Sequence, residues 1–166
     1  MTLEDALDRC RDFETRSAAL YWGFAADAHD QPDVCALWTG MACEEDDHAR
    51  LLSETRDHLP TSEGWVTKLS GRWSKVVTDV DTKLSQAERL PRGAGVDQQL
   101  AAAFELEMTE IEPLHQMLVA VSRRRSPRPI AESHALRLVD AAERLSNHPH
   151  VRQLAALLRA RVSPQA

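Results

Sequence analysis

Apolar residues recur every three to four positions over most of the chain, and no run alternates with a period of two over a useful length, so the pattern predicts helices and no sheet. Four long runs carry it, near residues 2–29, 32–58, 95–123 and 128–161. At about 100° per residue, Leu7, Cys10, Glu14, Ala18, Tyr21 and Ala25 share one stripe of the first run. Val34, Trp38, Met41, Glu45, His48 and Leu52 share one stripe of the second, and Val96, Leu100, Ala103, Glu107, Leu114 and Leu118 one of the third. Glu110 lies about 60° off that last line.

The breaks between runs set the topology. Asp30-Gln31-Pro32-Asp33 separates the first two, and Pro32 suits a first helical turn. So short a link makes the two helices antiparallel neighbours. Pro60 ends the second run, and residues 59–94 form a crossover with a helix of its own expected around 72–89. Pro127 and Pro129 mark the last turn. Two antiparallel helical hairpins joined by a long, partly helical crossover is the ferritin-like arrangement of an all-α four-helix bundle, here read as a single domain over residues 1–166.

Glutamates at stripe centres are the anomaly. Lys and Arg are absent from these stripes, and a carboxylate facing a core without a basic partner costs several kcal/mol. Four glutamates (Glu14, Glu45, Glu107 and Glu110) carry four negative charges, which two divalent metal ions would balance. Glu45-x-x-His48 projects both side chains from adjacent turns of one face. Glu14 returns to the height of Glu45 across the hairpin, and Glu107 and Glu110, at i and i+3, reach a common site from one helix. A solvated acidic patch is the plain reading of Glu44, Asp46 and Asp47, which are expected at the surface. Tyr21, one stripe position beyond Ala18, is placed to orient the Glu14 carboxylate.

The sequence FELEMTEIEPLHQML, with Glu107-x-x-Glu110-x-x-Pro113 after an alanine-rich turn, resembles the third helix of rubrerythrins. The first half, FETRSAALYWGFA followed by E-x-x-H, is similar to the same family. The resemblance covers the four bundle runs and is weakest in the crossover and the last run. It implies a di-iron carboxylate centre that reacts with hydrogen peroxide or dioxygen, or oxidises ferrous iron, with manganese or zinc as alternative occupants. On the matching positions, Glu14 is a terminal ligand, Glu45 a bridge and His48 a ligand to one iron. Glu107 is the bridge of the third helix, and Glu110 the extra glutamate associated with ligand switching.

Two departures stand out. Where the family offers a second E-x-x-H, the register that aligns HARLLSET with HVRQLAAL gives Asn147-His148-Pro149-His150. That leaves His150 or Glu143 as the fourth-run ligand, or a capping turn with Asn147 as N-cap of a new helix. His29, His58, His115 and His134 show no spacing pattern of a hemerythrin type. The second departure is the lack of a Cys₄ rubredoxin domain. Electrons would therefore come from a separate donor protein.

Composition narrows the remaining classes. A net charge of −6 argues against general affinity for nucleic acid or anionic membranes. No stretch approaches the roughly 18–20 apolar residues of a membrane span. Three cysteines without a C-x-x-C fit a reducing cytoplasm better than a disulfide framework. Trp65 and Trp73 in the crossover suggest a homodimer contact.

Overall fold

The computed structural model describes residues 1–57, 71–121 and 128–162, with the side chains of 3, 71, 72, 110–121 and 128–133 outside that description. The described residues form six helices and no strand: α1 (Leu3–Asp27), α2 (Pro32–Asp57), α3 (Gly71–Ala87), α4 (Val96–Val121), α5 (Arg128–Leu145) and α6 (Pro149–Val162). The chain is thus all-α. None of these helices is long and apolar enough to cross a membrane.

Local chemistry sets the helix ends. Thr2 and Asp5 form a reciprocal capping box that satisfies two orphan amides at the start of α1. Ala28 and Gln31 turn the chain by backbone hydrogen bonds, and Pro32 opens α2 where its missing N–H is not needed. The resulting α1–α2 hairpin is the most extensive helix pairing of the fold. The turn before α4 places Gly93 at φ 73°, a left-handed conformation that glycine adopts without strain, and its amide donates to Asp27 Oδ2 at 2.8 Å.

Helix α3 packs on both α1 and α4, α4 on α5 and α6, and α5 on α2. Arg16 of α1 holds α3 through Asp81 at 2.7 Å and the turn after it through Glu88 at 2.8 Å, and Lys83 ties α3 to Glu105 of α4 at 2.7 Å. Inside, Tyr21 stacks on Trp38 with ring centroids 5.6 Å apart, and Phe24 meets the same indole edge-on. The Trp38 Nε1–H donates to Gln99 Oε1 at 2.9 Å, pairing the two buried polar groups between α2 and α4. Leu100, Phe104, Leu138, Val139, Val151 and Leu158 complete this core.

The last run is not one helix. It breaks at 146–148, and α6 begins at Pro149. The residue before that proline is His148, whose carbonyl accepts from Arg152 N; Asn147 is not the capping residue. Ser146 Oγ accepts from His148 N and contacts Asp97, while Arg152 donates to the carbonyls of Ser146 and Glu143. The carbonyls left open at the end of α5 thereby gain partners. Of the crossover tryptophans, Trp73 is partly buried on α3 and Trp65 lies outside the described residues.

Candidate metal centre

Glu14 stands thirteen positions before Asp27, the end of α1, and Glu45 thirteen after Pro32, the start of α2. At about 1.5 Å per residue the two carboxylates therefore meet at one height across the antiparallel pair. Both are almost wholly buried, at 3% and 2% exposure, as is Glu107 of α4 at 5%. His48 lies one turn beyond Glu45, with its Nδ1 3.0 Å from Glu45 Oε2 and 3.5 Å from Glu14 Oε2.

The other side of the cluster is built by His134 of α5, which is 2% exposed. Its Nε2 lies 2.8 Å from Glu107 Oε1 and 3.5 Å from Glu45 Oε1. Two triads result, Glu14–Glu45–His48 and Glu45–Glu107–His134, and within each the donor atoms lie within 4.8 Å of one another. Glu45 belongs to both and turns a different oxygen to each histidine. The two imidazoles stand 5.9 Å apart between centroids.

Several of these close contacts are not hydrogen bonds. Glu14 Oε2 and both ring nitrogens of His134 are buried and have no hydrogen-bond partner among the described residues, although the His48 imidazole lies within ion-pair distance of the first and carboxylate oxygens of the other two. The donors are near one another without being aimed at one another. Buried polar atoms left so are costly, and each calls for an explanation. Three carboxylates and two imidazoles around one region suit a pair of divalent ions of the iron, manganese or zinc type, so the residues fit the group that the charge pattern anticipates.

Protons can supply the same compensation. Burial, reinforced by the charge of Glu14, pushes the Glu45 carboxyl well above its usual value despite the attraction of His134. Burial would lower both imidazoles, but it is outweighed. Glu107 and Glu45 raise His134 well above its ordinary range, and the contact with Glu14 raises His48. Burial also opposes ionisation of Glu14, yet its close contacts with Glu45 and His48 and the two imidazole charges hold it below the usual value.

Of the residues singled out from sequence, Glu14, Glu45, His48 and Glu107 come together here. The Glu110 side chain lies outside the described residues. Tyr21 is fully buried, in the aromatic stack with Trp38. His150 and Glu143 are both exposed; Glu143 pairs with Arg159 at 3.1 Å, so neither joins the cluster. The buried stripe of α5 runs through Ala135, Leu138, Val139 and Ala142, and Glu143 lies outside it.

His134 takes the place expected of them, and a repeat in the sequence marks it. His48-Ala-Arg-Leu-Leu52 has a counterpart in His134-Ala-Leu-Arg-Leu138, which matches it at three of five positions, as many as the segment at His150. On this register the residue three before the histidine is Ala131, where the first half has Glu45. Glu44 is a second correction. It is only partly exposed and contacts His134 Nδ1 at 2.9 Å and Arg137 at 2.6 Å, because α5 packs on α2 beside it.

Comparison with known protein families, curated proteins and solved structures finds no match to this chain.

Proposed function

We propose that the chain is a rubrerythrin-like, ferritin-like bundle whose buried cluster holds two iron ions bridged by Glu45 and reduces hydrogen peroxide or dioxygen. The observation that carries this reading is the pair of donor triads sharing Glu45. The E-x-x-H of α2, the E-x-x-E-x-x-P of α4 and the α1–α2 hairpin with its helical crossover support the family resemblance.

In this reading Glu14 and His48 Nδ1 hold one ion, and Glu107 and His134 Nε2 the other. When bound, the ferrous pair supplies two electrons together. Burial of Glu14, Glu45 and Glu107 excludes bulk water and restricts the site to small oxidants. His48, with 15% of its side chain exposed, is the most open member and marks the side of entry. Reduction of hydrogen peroxide to two waters consumes two protons and two electrons. Glu45 and the imidazoles hold protons in the metal-free cluster and would release them on binding ions, so the two protons of the reaction come from solvent. Electrons return from a separate donor protein.

The test is anaerobic loading with ferrous iron followed by rapid mixing with hydrogen peroxide, observed by absorbance. Oxidation of both irons in one fast phase is expected. A second reading, a binding protein without turnover, is favoured by Ala131, which withholds a carboxylate from α5. Protein that loads two ions yet does not react would establish that reading instead.

A further inference from the structure

His134 reaches the cluster through Nε2, and its other ring nitrogen points away from it. That Nδ1 lies 2.9 Å from Glu44 Oε2. Both atoms are buried, and neither has a hydrogen-bond partner among the described residues. They are within reach of one another but out of line, a common state for a site whose hydrogen bonds tighten only when it is filled. Glu44 is itself held from the far side. Its Oε1 lies 2.6 Å from the Arg137 guanidinium, one turn along α5 from His134.

Arg137 reaches α2 across a gap that a side chain would close. A Cβ on Gly40 would come to 2.7 Å from Arg137 Nη1. Gly40 and Glu44 are four residues apart on α2, so the glycine clears the path of the guanidinium toward the carboxylate on the same face. The chain of contacts thus runs from an open position on α2, through Arg137 and Glu44, to the buried imidazole.

We infer that Glu44 is a positioning residue: it accepts the His134 Nδ1–H, fixes the ring tautomer, and leaves Nε2 as the lone-pair donor to the ion shared with Glu45 and Glu107. This rests on the two-ion reading above. Glu44 belongs to neither donor triad, so it acts through His134 and not on the ion. A carboxylate on the far nitrogen of a ligating histidine orients the ring and raises its basicity, and its loss weakens metal binding about 10–100-fold.

The test is anaerobic titration of the full chain with Fe(II), comparing wild type with Glu44→Ala, Glu44→Gln and Asp47→Asn, a matched loss of one nearby exposed charge. Wild type and Asp47→Asn are expected to bind two ions alike. Glu44→Ala should keep the stronger ion unchanged and bind the other about 10–100-fold more weakly. Glu44→Gln retains an acceptor oxygen and should fall between them. In Zn(II)-loaded, ¹⁵N-labelled protein, a slowly exchanging His134 Nδ1–H should be seen by NMR in wild type and be lost in Glu44→Ala. If wild type binds two ions and both Glu44 variants match it, the positioning role is overturned while the two-ion site stands. If wild type does not bind two ions, the parent reading fails and this inference with it.

Discussion

Glu45 on α2 and His134 on α5 bring a carboxylate oxygen and an imidazole nitrogen to 3.5 Å across the bundle. The opposite oxygen of the same carboxylate faces His48 at 3.0 Å. One side chain thus joins two half-sites. Glu45→Ala is therefore expected to lose both ions, measured as metal content after anaerobic loading and gel filtration. Asp47→Ala, two residues away and exposed, removes the same charge and should load as wild type does. Equal loading of the two variants would rule out a bridge at Glu45.

His134→Ala should retain about one ion per chain, because the Glu14–Glu45–His48 triad does not include it. His150→Ala and Glu143→Ala should load two, since both side chains lie at the surface. Loss of an ion in either of those, with His134→Ala unaffected, would return the fourth-run ligand to where the sequence first suggested it.

The stripes of α1 and α2 were legible because each helix keeps its period through the site; that of α4 is seen from Leu100 through Ala103 to Glu107, with the Leu114 and Leu118 side chains outside the described residues. Leu7, Cys10, Glu14, Ala18, Tyr21 and Ala25 are all buried, as are Val34, Trp38, Met41, Glu45 and Leu52. The last run was not. Its inward face is rich in alanine, which marks a stripe weakly, and carrying one register through Asn147–Pro149 treats two helices as one. The Ser146–Asp97–Arg152 contacts that end α5 join residues distant in sequence. Glu44 was hidden for a related reason: its partners His134 and Arg137 come from another helix, and nothing on α2 alone announces them.

Without metal, the packed carboxylates oppose folding. Glu45 faces Glu14 and Glu107, so Glu45→Gln relieves repulsion while keeping the shape. In chelator-treated protein this variant is expected to be more stable than wild type by on the order of 1 kcal/mol. For a chain of this size that is about 2–4 °C in Tm. A lower Tm of the chelated variant would mean that Glu45 contributes to the fold by itself.

The pH dependence of chelator-treated protein follows from two groups of opposite sign. His134, His48 and Glu45 are raised on folding. Their contribution is complete below the unfolded values, 6.5 for the imidazoles and 4.5 for the carboxyl, and is lost as pH rises through the folded values. Glu14 and Glu44 are lowered, so theirs is present above 4.5 and lost as pH falls below it. Thermal melts should thus show highest stability near pH 4.5, a Tm that falls above it through Glu45, and a steeper fall above pH 6.5 as the imidazoles join. Metal displaces those protons, so the gap between loaded and chelated protein should widen over the same range. A Tm that climbs with pH there would contradict the proton distribution.

Everything turns on two ions sharing one carboxylate. X-ray absorption of the anaerobically iron-loaded protein reads that relationship directly, through scattering of each iron from the other. A metal–metal shell at about 3.5–4 Å is expected in wild type and should vanish in Glu45→Ala. Iron that binds without such a shell, or a shell that survives the loss of Glu45, would contradict a Glu45-bridged pair.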